Sequence, residues 1–182
     1  MNAIFSGSLR RAAAVLLCAG LLALSGCASG GENGMAPAGS IATTVSGVGH
    51  LGRMVGIPEF YVNGQWGGNN GGWGGGGGGV CCVSMPYSAG QTTMVTVKWE
   101  TLDIGKGEDR QHEATVPVHF DVPPGKGSGI KVHFLPGDRV EVWYTFMGAS
   151  GSTYPGPKYP RGPAPDYAPL SDETPTPAKV KQ

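Results

Sequence analysis

The thiol of Cys27 is the side chain whose surroundings point most directly to a chemical modification. It ends the tetrapeptide Leu24-Ser25-Gly26-Cys27, which is typical of the site where a bacterial signal peptide is cut and the new N-terminal cysteine is lipidated. Arg10 and Arg11 form the positive start of such a leader, and the apolar run after them is shorter than the ~20 residues that a spanning helix needs. The sequence therefore predicts a lipoprotein signal peptide at 1–26 and lipidation at Cys27.

The same motif predicts where the protein works. Residue 28 is Ala, whereas an Asp there would favour retention in the inner membrane. Two or more acyl chains hold a protein stably on a bilayer, while a single chain gives only marginal binding. We therefore expect the lipid on Cys27 to anchor the protein in the outer membrane at its periplasmic face. Residues 27–40 are small, polar and rich in glycine, as expected of a flexible tether.

Two imidazoles and a carboxylate could form a second kind of site. If the last three predicted strands form an antiparallel meander in chain order, His119, His133 and Glu141 fall in one row, with neighbours about 5 Å apart. These are ligand types that zinc accepts. Solvated sheet faces carry such residues routinely, and no HExxH or GxSxG motif is present. The favoured prediction is a solvent-exposed face without metal, cofactor or enzymatic activity, with His50 and His112 as isolated loop residues.

Cys81 and Cys82 are adjacent thiols in a chain predicted to enter the oxidising periplasm. They could form a vicinal disulfide, remain buried thiols or bridge to another chain. Neighbouring side chains of a regular strand point to opposite faces, so a vicinal ring would break the strand geometry locally. We favour the vicinal disulfide, because two free thiols would be liable to oxidation.

Residues 64–79 contain 11 glycines, and Trp66 and Trp73 interrupt the run. The run predicts either a flexible loop or a loop whose glycines adopt positive φ or allow close approach of the backbone. It lacks the Lys and Ser or Thr that end a phosphate-binding P-loop. The two tryptophans could cap the open end of the core, which is the favoured role. If the protein binds a partner, we expect them at the contact.

Charge excludes one class of partner. Without the leader, 11 basic residues stand against 13 acidic ones, a net charge of −2. A nucleic-acid-binding domain would show a basic patch or stripe. We therefore expect no nucleic-acid partner.

The central part of the chain predicts an all-β domain at 41–147. No window of 11 or more residues has a helical apolar period, whereas short β-branched and aromatic runs lie between Gly, Pro and Asp. The predicted strands are 41–48, 59–62, 80–85, 92–100, 115–122, 130–135 and 139–146. Such a series is typical of a small antiparallel β-sandwich or a partly open barrel. Residues 148–182 contain eight prolines and few apolar residues, which predicts a disordered tail.

Alternation of apolar residues predicts the register of the meander. In the first pair of strands, the predicted register sets Val122 opposite Ile130. In the second pair it sets Val132 opposite Val142, which places His133 opposite Glu141. A slip of one residue would move every apolar side chain to the wrong face.

Four stretches resemble a family of proteobacterial lipoproteins, that of domain of unknown function 3304. They are Phe60-Tyr61-Val62-Asn63-Gly64, the glycine run with Val80-Cys81-Cys82-Val83-Ser84-Met85-Pro86, Val95-Thr96-Val97-Lys98-Trp99, and Val132-His133-Phe134-Leu135-Pro136-Gly137-Asp138. The similarity covers about 41–147. It implies a small envelope lipoprotein and, because some members lie beside type VI secretion genes and lipase-like effectors, an immunity protein against such an effector. It attaches no catalytic residues to this chain.

The sequence therefore predicts a lipid-anchored module that binds a protein, with a lipase-type effector as the candidate partner. The alternative is a structural or assembly lipoprotein of the cell envelope, whose proline-rich tail would reach another envelope component.

Overall fold

The computed structural model describes residues 39–165. Their regular structure consists of strands, which confirms the all-β prediction. The strands are β1 (Ser40–His50), β2 (Val55–Val62), β3 (Gln65–Gly71), β4 (Trp73–Gly75), β5 (Val80–Pro86), β6 (Met94–Asp103), β7 (Glu108–Phe120), β8 (Gly129–Leu135) and β9 (Arg139–Thr145). No helix in this range is long and apolar enough to cross a membrane. The predicted leader with Cys27, and residues 166–182, lie outside the described range.

The strands form one sheet that curls into a nearly closed barrel. Its order is β3-β2-β6-β7-β9-β8-β1-β4, and β5 also pairs with β1. β5 and β4 share one edge of β1, since β5 pairs with its first half and β4 with its last three residues. Where β3 meets β5 the ladder is replaced by side chains: Gln65 Oε1 accepts from the Ser84 N–H, and Asn63 Nδ2 donates to the Ser84 carbonyl. The partly open barrel is therefore the better of the two predicted architectures.

The register of the β8–β9 hairpin agrees with the prediction. Val132 lies opposite Val142, and His133 lies opposite Glu141. The predicted antiparallel pairing of the preceding strand with β8 is wrong, because β7 runs parallel to β9, with Val118 opposite Val142. β1 and β8 are also parallel. Alternating apolar residues satisfy a parallel and an antiparallel neighbour equally well, so the pattern did not distinguish them.

Aromatic and aliphatic side chains from both halves of the sheet fill the barrel. Phe60 and Phe134 are almost fully buried and meet edge to face, with ring centroids 5.2 Å apart. In β6, Val95, Val97 and Trp99 point inward while Lys98 between them is exposed. Burying each such side chain stabilises the fold by about 1.5–3 kcal/mol.

The glycine run is not a flexible loop, because it builds β3 and β4. Gly67 is buried where a side chain would overlap the ring of Phe60, and a Cβ on Gly72 would overlap the carbonyl oxygens of Val55 and Gly52. Glycine is depleted in strands generally, so the composition predicted a loop. Here the glycines allow a close approach of backbones that any side chain would prevent.

Part of the predicted disordered tail packs on the barrel. Residues 148–165, called the strap below, contain the buried Ala149 and several contacts with the sheet. The Tyr159 hydroxyl donates to the Gly75 carbonyl and accepts from the Gly75 N–H, each at 3.1 Å. The prediction of disorder is therefore wrong for the strap. Tyrosine hydroxyls, rather than a run of aliphatic residues, attach it to the barrel.

Candidate functional site

The strap covers a buried histidine on the outer side of β8. Val132 and Phe134 point into the barrel, so His133 between them points outward, yet it is 0% exposed. Its Nδ1 lies 2.8 Å from Nε2 of His50, and its Nε2 is hydrogen-bonded to the hydroxyl of Tyr154 in the strap. Both ring nitrogens are therefore satisfied. Burial, with smaller effects of His50 and Lys131, lowers the pKa of His133 to about 3.

The groups around His133 respond to the same burial. Lys131 donates to the Ser46 hydroxyl at 3.0 Å, and burial lowers the pKa of its ammonium group. Burial lowers the pKa of His50, and the negative charge of nearby Glu141 partly offsets that decrease. Burial raises the pKa of the Tyr154 hydroxyl, and the charge of Glu141 raises it further. The cluster therefore favours neutral histidines, and its chemistry suits fastening of the strap.

The predicted row of His119, His133 and Glu141 does not exist as a row. His133 and Glu141 are neighbours across the β8–β9 pair, but His119 on β7 lies beyond β9 and stacks on Trp143, with centroids 4.7 Å apart. His133 is also buried rather than solvated, since the strap lies over it. Among residues 39–165 no three His, Cys, Asp or Glu side chains converge as a metal ion requires.

The other two histidines are not isolated loop residues. His50 ends β1 and contacts His133, as described above. His112 lies in β7, stacks on Trp99 with centroids 4.9 Å apart, and is hydrogen-bonded to Thr101. Cross-strand neighbours decide both roles, and only the pairing of the strands reveals them.

Trp66 and Trp73 lie at opposite ends of the barrel. Trp66 is the second residue of β3 and is 50% exposed, opposite Tyr61 on β2. Trp73 begins β4 after the chain has turned, opposite His50, and its Nε1 donates to the Gly162 carbonyl in the strap. The two tryptophans therefore do not form one contact surface.

The structure joins Cys81 and Cys82 as a vicinal disulfide across a cis peptide bond. Both residues are exposed at the start of β5. Regular pairing of β5 with β1 runs from Val83 to Pro86, and the register shifts between Val80 and Val83. The ring thus lies where the ladder is irregular, as adjacent side chains on one side of a strand require.

The β6–β7 hairpin is the longest paired segment of the sheet. Its ten pairs run from Met94 opposite Pro117 to Asp103 opposite Glu108. Asp103 stabilises the turn, since its Oδ1 accepts from the N–H groups of Gly105 and Lys106, which lower the pKa of its carboxyl group.

One edge of this hairpin is open. β7 pairs with β9 only from Val118 to Phe120, and no other described strand pairs with the outer edge of β7 from Glu108 to Pro117. Ile104 at the turn is 57% exposed. An open edge and an exposed aliphatic tip are features through which an extended segment of another protein can bind. The sequence could have indicated this open edge through the length of the two strands. The prediction began the second strand at residue 115, whereas β7 begins at Glu108.

One comparison with known proteins recognises a domain in this part of the chain. Residues 53–142 match the model of a family described as protein of unknown function (DUF3304). No curated protein matches, and no solved structure matches. The matched range begins after β1 and ends within β9, so β1 and the strap complete the barrel outside it. Through this domain the chain belongs to the DUF3304 family.

Proposed function

We propose that the protein is a lipid-anchored, protein-binding module of the periplasm, and that its β6–β7 hairpin contacts the partner. The open edge of β7 carries this proposal. An extended segment can add to such an edge through main-chain hydrogen bonds, while side chains on alternate positions give specificity.

The side chains along the hairpin suit a partner with mixed charge. Glu108, Asp109, Arg110 and Glu113 are exposed on β7, and Ile104 adds an apolar tip. Charged residues on an open edge oppose pairing between copies of the same chain. A partner with complementary charges would still be accepted, because opposite charges across strands stabilise the pair.

The partner that the family resemblance favours is a lipase-type effector of a type VI secretion system. Such an enzyme must work at the membrane, and an anchor at Cys27 would raise the local concentration of the module there. Binding that blocks the effector would make the protein an immunity protein. Its charge of −2 without the leader agrees with a protein rather than a nucleic-acid partner.

Hairpin variants test this function against a matched control. Ile104→Asp and Arg110→Glu change the proposed contact, whereas Lys126→Glu changes another exposed residue, in the β7–β8 loop at the other end of the barrel. We expect the hairpin variants to weaken binding to the purified effector by about tenfold, which is 1.4 kcal/mol, and the control to bind like the parent. The same variants should lower survival of cells exposed to the effector. Equal binding by all three variants would contradict the proposed contact.

A truncation tests the structural alternative. The strap packs on the barrel, so only residues 166–182 remain to reach another envelope component. Removing them should leave effector binding and survival unchanged. Loss of envelope integrity in the truncated strain, with normal survival of effector delivery in a strain lacking the gene, would favour the structural role instead.

A further inference from the structure

Strand directions define two ends of the barrel. β1 and β8 run parallel, and their antiparallel neighbours β5 and β9 run back. The pairings of β7, β6, β2 and β3 give the directions of the other strands. One end of the barrel therefore holds the starts of β1, β3, β6 and β8 and the last residues of β2, β5, β7 and β9. We call this the entry end, because the chain enters the barrel here at Gly39.

Exposed apolar side chains gather at the entry end. Trp66 is the second residue of β3, Met94 is the first of β6, and Phe146 directly follows β9. Their exposed fractions are 50%, 42% and 65%. Of the large hydrophobic residues that are exposed in the described chain, only Ile104 lies at the opposite end. Three separate strand ends therefore present exposed apolar side chains at the entry end.

An aromatic cleft opens at the same end. Tyr87 follows β5 and Phe120 ends β7, and their rings are 5.9 Å apart. With Pro123 and Pro124 they line a cleft of about 460 Å³. The Tyr87 N–H donates to the carbonyl of Gly39, which places the cleft directly beside the entering chain.

Charge separates the two ends. The entry-end connections 63–64, 87–93 and 121–128, together with the strand residues that adjoin them, contain only two charged residues, Asp121 and Lys126. The opposite end carries a larger set in its connections and adjoining strand ends: Arg53, Asp103, Lys106, Glu108, Asp138 and Arg139. An apolar, aromatic and charge-poor surface suits the boundary between headgroups and acyl chains, where Trp side chains are enriched.

We propose that the entry end rests on the lipid bilayer, with Trp66, Met94 and Phe146 inserted at the interface. The inference depends on the proposed anchor at Cys27, from which 12 residues reach Gly39. These residues span at most about 40 Å, so the anchor keeps the barrel close to the bilayer. A bilayer is the favoured occupant because the anchored chain leaves from this same end. The orientation directs the β6–β7 hairpin away from the membrane, towards an arriving partner.

Fluorescence quenching of the full lipidated protein tests the orientation. The protein is reconstituted in vesicles of phosphatidylethanolamine and phosphatidylglycerol, with and without brominated acyl chains. Trp66→Phe and Trp73→Phe each remove one partly exposed tryptophan, from the entry end and the opposite end respectively. Brominated lipid should quench the parent and the Trp73→Phe variant, and the Trp66→Phe variant should lose most of that quenching.

Flotation of the same samples separates the anchor from the orientation. Protein that does not float with the vesicles would refute the proposed anchor. Protein that floats but is quenched equally with and without Trp66 would overturn the orientation while leaving the anchor intact.

Surface variants supply a second measurement that does not depend on replacing a tryptophan. Met94→Ser with Phe146→Ser should reduce quenching of Trp66 by brominated lipid, and Ile104→Ser should leave it unchanged. All three residues are exposed, so the barrel core is untouched. Unchanged quenching in the double variant, or an equal decrease in Ile104→Ser, would refute the proposed insertion.

Discussion

The ring of Tyr154 lies over His133, with centroids 5.4 Å apart and the hydroxyl hydrogen-bonded to Nε2. This contact joins the strap to the outer side of β8, and it explains why an outward-pointing histidine is fully buried. The strap is fastened again where Tyr159 bonds to Gly75. Covering β8 on both faces turns a single-layer barrel into a local double layer.

Removing the Tyr154 hydroxyl should destabilise the protein. Tyr154→Phe leaves Nε2 of buried His133 without its partner, and an unsatisfied buried polar group costs about 1–3 kcal/mol. The free energy of unfolding in urea measures the loss. Tyr87→Phe is the matched control, because its hydroxyl makes no hydrogen bond within the described residues, and it should unfold like the parent. Equal stability of both variants would contradict the fastening role of Tyr154.

Stability should fall as the pH falls below about 6.5. His133 has its ordinary pKa of 6.5 when unfolded and a pKa of about 3 when folded. Between these values the unfolded chain binds a proton that the folded protein excludes, so acid favours unfolding, by at most about 1.4 kcal/mol per pH unit for this residue. His50 reinforces the effect, since burial also lowers its pKa.

Urea unfolding between pH 7 and pH 4 measures this slope. His133→Gln should flatten it, even though the variant is less stable at pH 7, and exposed His119→Gln should retain it. An unchanged slope in His133→Gln would show that other groups control the acid sensitivity.

Alternating apolar residues made seven of the nine strands predictable. Runs such as Val95-Thr96-Val97-Lys98-Trp99 carry the pattern of a sheet with one buried face, and turns such as Pro136-Gly137-Asp138 fix a hairpin. The β8–β9 register followed from these two features alone. Local chemistry is sufficient where partners are neighbours in the chain.

Longer-range relationships were not predictable from the same pattern. Pairing of β7 with β9 joins strands separated by β8, and alternation carries no direction. β3 and β4 were missed because glycine is rare in strands, although Gly67 is required beside Phe60. The strap was missed because its anchorage depends on the hydroxyls of Tyr154 and Tyr159, which composition alone does not distinguish from solvated tyrosines.

A methyl group on Gly49, where β1 closely approaches β3, should destabilise the fold. A Cβ on Gly49 would overlap the carbonyl oxygen of Gly71, and main-chain atoms cannot move aside as a flexible side chain would. Gly49→Ala should therefore lower the free energy of unfolding by about 1–3 kcal/mol, as overpacked cores do. Gly71→Ala is the control at the facing residue of β3, because a Cβ there meets nothing within 4 Å. A smaller loss for Gly49→Ala than for Gly71→Ala would contradict the close approach.

Alkylation should report the state of the two adjacent cysteines. Cys81 and Cys82 are exposed and joined in the structure, so the purified protein should take up no iodoacetamide at these positions under native conditions. After a mild reductant both thiols should react without unfolding, because both sulfurs lie at the surface. Intact-mass spectrometry distinguishes the states, and Cys81→Ser provides the control, since its single remaining thiol should react without reductant. Labelling of both cysteines in the unreduced parent would show that they are free thiols.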